Sequence, residues 1–181
     1  MTTKFLIIAS LIVITSSVNI QAQATGDTAK QKTQKKYQAK APPTQPFGAE
    51  AFQSSGKTIL RWLGMAGYLI NSRGTTLMVD PLLGGFDMPI MIEFPIAAKK
   101  IPRLDAVLVT HADNDHYSVA TNKDLKSVTN IYHSTVYVDS LMKNEGFPSA
   151  VHHIGDTFHI GPVLVKLTHA DHAYQKTRIL V

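Results

Sequence analysis

The chain has 181 residues, no cysteine, and eighteen Lys and Arg against thirteen Asp and Glu, for a net charge of +5. Without cysteine, disulfides and a thiol-linked lipid anchor are excluded. The positive excess belongs to the first 57 residues, because residues 58–181 carry eleven basic and eleven acidic side chains; this argues against a nucleic-acid-binding domain, which would hold its basic excess on the folded surface.

Lys4 precedes an apolar stretch, Phe5–Val18, and Ala22-Gln23-Ala24 follows as a small-x-small site. That layout predicts a secretory signal peptide over residues 1–24, cleaved after Ala24, and a chain exported to the periplasm or secreted. The stretch is short for a membrane span, so no stable span is expected after cleavage. Residues 25–57 set six lysines against Asp27 and Glu50 around Pro42, Pro43 and Pro46. Their low apolar content predicts a flexible basic linker, with Phe47 and Phe52 able to dock on the folded domain. That domain is expected over residues 58–181, with one modest core.

Within it, Ile59–Leu63, Tyr68–Ile70 and Thr76–Val79 read as strands, joined by turns at Gly64–Gly67 and Ser72–Gly74. Asp80-Pro81 ends the third strand, and a long loop rich in Gly and Pro occupies residues 81–103, a length common beside functional sites. Leu104–Val109 is a short uninterrupted apolar run, as a buried strand should be. Ser118 can cap a helix running to about Leu125, Ile131-Tyr132 reads as a strand, and residues 134–145 have helical spacing with Gly146 just past the end. Strands over Val151–Ile154, Thr157–Ile160 and Val163–Leu167 complete a layered α/β pattern.

The chemistry concentrates in one octapeptide, Thr110-His111-Ala112-Asp113-Asn114-Asp115-His116-Tyr117. Four potential metal ligands, His111, Asp113, Asp115 and His116, fall in six residues at the C-terminal end of a strand, where α/β folds place their sites. Imidazole and carboxylate at this density suit a divalent transition metal. A calcium loop of the EF-hand type is not matched, since Tyr117 and Ser118 stand where an oxygen ligand and a glycine are required. All eight histidines lie between positions 111 and 172, and Thr168-His169-Ala170-Asp171-His172 again follows a strand. Among the others, His152, His153 and His159 read as polar strand residues and His133 as a packing residue. Asp80 reads as a group that orients a ligand, Trp62 as core, and Tyr117 fits either packing or the cleft.

These blocks, with Trp62-Leu63-Gly64-Met65-Ala66-Gly67 and Met78-Val79-Asp80-Pro81, resemble the metallo-β-lactamase-fold hydrolases over residues 58–181. Their order and intervals resemble the branch similar to ascorbate-6-phosphate lactonase and to the phospholipase D that cleaves N-acyl-phosphatidylethanolamines. The resemblance implies an αββα sandwich, with the family's H-x-H-x-D-H motif falling on His111, Asp113, Asp115 and His116. It implies one ion on His111, Asp113 and His172, and a second on Asp115 and His116. Zinc is the expected metal, one or two ions, and the carboxylate of Asp113 in place of a histidine also admits Fe²⁺ or Mn²⁺. A metal-bound hydroxide would attack an ester, lactone or phosphodiester of a small-molecule or lipid-like substrate, with Asp115 orienting it and accepting its proton. In the family a further bridging aspartate and a last histidine come from strands beyond position 181, whereas this sequence ends in an apolar run, Arg178–Val181. The expectation is therefore a sandwich lacking its C-terminal part. The alternative reading is a truncated or degenerate domain with partial metal binding and no turnover.

Overall fold

The computed structural model describes residues 41–170. Six strands form one mixed sheet in sequential order: β1 (Thr58–Gly64), β2 (Gly67–Ser72), β3 (Thr75–Val79), β4 (Ala106–Val109), β5 (Tyr132–Thr135) and β6 (Ser149–His152). The first three are an antiparallel meander through tight turns, whereas β3 to β6 run parallel. Parallel neighbours need a return crossover. Helices α1 (Val119–Leu125) and α2 (Val136–Asn144) lie in two of these connections. A separate hairpin, β7 (Thr157–Ile160) and β8 (Val163–Lys166), turns through Gly161-Pro162 and forms a second sheet.

Side-chain alternation divides the main sheet between two cores. Leu69, Met78, Val107, Val109 and Tyr132 point to one face, where Leu125 of α1 and Val138 and Met142 of α2 cover them. Ile70, Leu77, Ala106 and Leu108 point to the other, against Ile160, Val163 and Val165 of the hairpin. Every residue of β4 is buried because both its faces are covered. Side chains as fully excluded from water as Leu69 and Met78 each contribute about 1.5–3 kcal/mol. Helices, main sheet and second sheet are thus three successive layers of the expected sandwich.

The helix ends follow the sequence signals. Ser118 accepts a hydrogen bond from Thr121 N at 3.1 Å, capping α1. α2 begins at Val136 rather than 134, because residues 134 and 135 complete β5. It closes on Gly146 at φ 74°, with Gly146 N donating to Lys143 O and Phe147 N to Met142 O. Strand β6 ends at His152, two residues before the expected end. There, His153 N donates to Asp156 Oδ2 and turns the chain.

Residues upstream of Thr58 also pack on the sheet. Ala51 and Phe52 are buried within a 3-10 turn, Ala49–Phe52, and Phe47 packs beside them. The amide of Asn71, wholly buried, donates to Ala51 O and Gln53 O at 2.8 Å each and accepts from Gly74 N. One side chain therefore ties this turn to the β2–β3 hairpin. Trp62, expected in the core, is 45% exposed. It points to the same side as Ile70, but no residue of β1 joins the second core among the described residues. Its indole instead donates to Met65 O at 2.8 Å.

Candidate metal centre

The carboxyl ends of β3 and β4 lie side by side, since Val79 pairs with Leu108. Asp80 follows β3 directly and Thr110-His111 follow β4, so parallel register brings together residues thirty positions apart. Asp80 N donates to Leu108 O at 2.9 Å, and the residue takes φ 45°, in the left-handed region. Such a backbone costs a non-glycine residue on the order of 1 kcal/mol, and here the side chain's bonds hold it. Gly67 allows the β1–β2 turn to press against this point, because a Cβ there would lie 2.9 Å from Asp80 O.

The buried Asp80 carboxylate accepts three hydrogen bonds: from Thr110 N at 2.8 Å, Thr110 Oγ1 at 2.7 Å, and His116 Nδ1 at 2.8 Å. A carboxylate can only accept, so His116 carries a proton on Nδ1, and in its neutral form presents Nε2 as a lone pair. The Thr110 hydroxyl spends its one proton on Asp80. Its oxygen therefore accepts from His111 Nδ1 at 3.0 Å, leaving that ring's Nε2 as a lone pair too. One buried aspartate sets the tautomers of both histidines. The hydrogen bond from His116 to Asp80 also raises the His116 pKa, against the opposing effect of burial.

The two Nε2 atoms each face a carboxylate. His111 Nε2 lies 3.6 Å from Asp113 Oδ2, His116 Nε2 lies 3.7 Å from Asp115 Oδ2, and the two ring centroids are 3.9 Å apart. Two ligands about 2.1 Å from a shared ion at a tetrahedral angle stand roughly 3.4 Å apart. Each imidazole–carboxylate pair therefore fits half of a coordination shell. Among the described residues no three His, Asp or Glu side chains group closely enough to hold an ion. The ligand expected from the later strand, His172, lies outside the described residues, as does Asp171; His169, just past β8, is exposed.

Other predicted residues are placed elsewhere. Tyr117, open between packing and cleft, is a core residue. Its hydroxyl has no hydrogen-bond partner among the described residues, and burial pushes its pKa to about 12. His133 packs on Phe158 and shares a 2.8 Å hydrogen bond between its Nδ1 and His152 Nε2. The sequence separates these two histidines, and only the β5–β6 register sets them side by side. It also gives no sign of the role of Asn114, whose amide donates to Asp87 Oδ1 at 2.8 Å and fastens the long loop to the octapeptide. The same loop is held by Ser118 Oγ to Gly84 O at 2.7 Å and by Leu83 N to Thr121 Oγ1 at 3.0 Å.

Comparison with known proteins gives the family of the chain. The model of the metallo-beta-lactamase superfamily matches residues 62–174. A UPF0173 metal-dependent hydrolase of Anaeromyxobacter sp. (strain K) is 28% identical over 131 residues, 69% of this chain and 46% of that protein. Another from Polynucleobacter asymbioticus is 37% identical over 86 residues, 46% of this chain and 30% of that protein. The chain thus spans about half the length, or less, of the curated relatives it matches. A solved metallo hydrolase from the archaeon Ignicoccus hospitalis shares the fold, with TM-score 0.50 and 18% identity over 67% of this chain and 52% of that one. With the matched region covering the strands, the octapeptide and the segment after β8, the chain belongs to the metallo-beta-lactamase superfamily.

Proposed function

We propose that the chain is a metal-dependent hydrolase cleaving an ester, lactone or phosphodiester bond in a small-molecule or lipid-like substrate. The observation that carries this reading is the single Asp80 carboxylate that turns both His111 and His116 to present Nε2 beside Asp113 and Asp115. Metal-ligating histidines commonly have their other ring nitrogen fixed in this way. His111, Asp113 and His172 would hold one divalent ion, and Asp115 and His116 a second. Zinc suits the imidazoles, and the extra carboxylate at Asp113 admits Fe²⁺ or Mn²⁺. A bound ion supplies Lewis acidity and brings the pKa of water toward neutrality. Asp115, beside His116 Nε2, orients the attacking water and accepts its proton.

The likeness to ascorbate-6-phosphate lactonase and the N-acyl-phosphatidylethanolamine phospholipase D supports trying lactones and phosphodiesters first. We further read residues 1–24 as an export signal and residues 25–41 as part of a tether. Among the described residues no helix is long and apolar enough to cross a membrane.

A domain that binds metal without turnover is the second reading, favoured by Asp113 standing where the family's motif has a histidine. A panel of lactones, carboxylic esters and phosphodiesters separates the two. We expect hydrolysis by the metal-loaded chain that falls by at least about 10²-fold in Asp115→Ala, which removes a positioned proton acceptor and a metal ligand together. Metal uptake with no hydrolysis of any class would establish the second reading, and turnover unchanged in Asp115→Ala would reject the role of that residue.

A further inference from the structure

The long loop after β3 is fastened at its start to the first turn of α1. Leu83 N donates to Thr121 Oγ1 at 3.0 Å, and Gly84 O accepts from Ser118 Oγ at 2.7 Å and Thr121 Oγ1 at 3.2 Å. Gly85 lies so close to α1 that a Cβ on it would stand 2.4 Å from that of Ala120. At the far end, Phe47 N donates to Pro95 O at 3.2 Å and the Thr44 hydroxyl donates to Glu93 O. Between these anchors, Met88 and Met91 are largely exposed. Among the described residues, the only side-chain hydrogen bond made by residues 86–91 is the 2.8 Å bond that Asp87 Oδ1 accepts from the Asn114 amide.

Asn114 stands between Asp113 and Asp115, the two carboxylates that face His111 and His116. The two ends of the octapeptide are fixed by other bonds. Asp80 holds Thr110 and the His116 ring, and Asp113 O accepts from His116 N at 2.9 Å and Tyr117 N at 2.7 Å. A side chain anchored at the middle of the octapeptide restricts the backbone on both sides of it. It therefore limits where the neighbouring carboxylates can stand, which is how groups behind a metal's ligands tune its binding.

We propose that Asn114 and Asp87 are a positioning pair: their hydrogen bond holds Asp113 and Asp115 for a divalent ion and couples that ion to the order of loop residues 86–91. The proposal rests on the metal centre of the hydrolase reading and adds to it a contact from the long loop. Such coupling is reciprocal. If the closed pair strengthens ion binding, the ion strengthens closure of the pair by the same factor.

The whole chain, stripped of metal, is titrated with Zn²⁺ against a chelating indicator, and hydrogen exchange of residues 86–91 is followed in parallel. Asn114→Ala and Asp87→Ala should each weaken Zn²⁺ binding by about two- to tenfold, the range for one net hydrogen bond. The double variant should be no weaker than either single one, because both substitutions remove the same bond. Asp87→Asn keeps a carbonyl acceptor for the Asn114 amide and should bind within about twofold of the wild type. Zn²⁺ should slow exchange at residues 86–91 in the wild type and Asp87→Asn, but not in the alanine variants.

Unchanged affinity in either alanine variant, additive losses in the double variant, or exchange at residues 86–91 that ignores Zn²⁺ overturns the proposal. A loss in Asp87→Asn equal to that in Asp87→Ala also overturns it, since charge and not the hydrogen bond would then be responsible. A wild type that takes up no Zn²⁺ overturns the pair together with the hydrolase reading. Zn²⁺ bound equally by wild type and variants rejects the pair alone and leaves that reading standing.

Discussion

Asp80→Asn is expected to weaken metal binding by about 10- to 100-fold while leaving the fold intact. The asparagine is nearly isosteric, and its carbonyl oxygen can still accept from Thr110 N, the 2.8 Å bond that closes β3 onto β4. Its amide nitrogen, however, would stand where Oδ2 accepts from both Thr110 Oγ1 and His116 Nδ1. A donor at that point cannot accept. Thr110 must rotate its proton away, and His116 is pushed toward the tautomer that carries hydrogen on Nε2. The proton that Thr110 no longer gives to Asp80 is then directed at His111 Nδ1, so both ligands lose their preset orientation together. Metal titration followed by competition with a chelator measures the effect, and circular dichroism confirms that the variant folds. A variant that binds as tightly as the wild type would show that Asp80 serves the strand junction and not the ligands. Asp80→Ala is less informative, because removing a buried acceptor of three hydrogen bonds disturbs stability as well.

Acid is expected to destabilise the protein through the His133–His152 pair. His133 is 8% exposed, and burial, with the neighbouring His152 in second place, lowers its pKa from 6.5 to about 4. The pKa of His152 is lowered in the same direction, mainly by burial, although Asp156 and Asp139 draw it upward and His153 adds to the lowering. A histidine that resists protonation in the fold and accepts it readily when unfolded contributes its full stability above pH 6.5. That contribution is lost as the pH falls from 6.5 toward 4, on the order of 3 kcal/mol for the pair's dominant member. The structural cause is direct. The 2.8 Å contact between Nδ1 and Nε2 has room for one proton, and a second would set two donors against each other beneath Phe158, which stacks on both rings. Urea midpoints measured between about pH 7.5 and 4, conditions that span this window, should fall more steeply for the wild type than for His133→Phe. That variant keeps a ring against Phe158 and removes the titrating group. Parallel profiles would show that the pair stays neutral, or stays bonded, throughout the window.

Much of this architecture is legible in the sequence, for local reasons. The apolar run Ala106–Val109 admits little but a strand buried on both faces, and Ser118 and Gly146 mark helix ends through bonds to neighbours three or four residues away. The clustering of His111, Asp113, Asp115 and His116 is visible because all four share one loop. Features that depend on register between distant strands are not visible in this way. Asp80 is recognisable as a strand-ending residue that orients a ligand, but its joint control of His111 and His116 follows from the pairing of Val79 with Leu108. The meeting of His133 and His152, nineteen positions apart, follows from the β5–β6 register. Trp62 looks like core by composition and proves half-exposed, because burial on the β1 side depends on what covers that face. Phe47 and Phe52 pack on the domain as their aromatic character suggests within an otherwise linker-like stretch, but the buried Asn71 amide that fastens the segment there is not visible in the sequence. His172 remains a candidate on the strength of sequence, as it lies outside the described residues.

A divalent ion held between the octapeptide and the segment after β8 is the feature on which the hydrolase reading depends. Elemental analysis of residues 25–181, purified without added metal, would detect it, alongside Asp115→Ala and His172→Ala. We expect about one or more equivalents of Zn, Fe or Mn in the wild type, sharply reduced in both variants while their folds persist. A folded wild-type sample with no transition metal, or metal content untouched by either substitution, would contradict it.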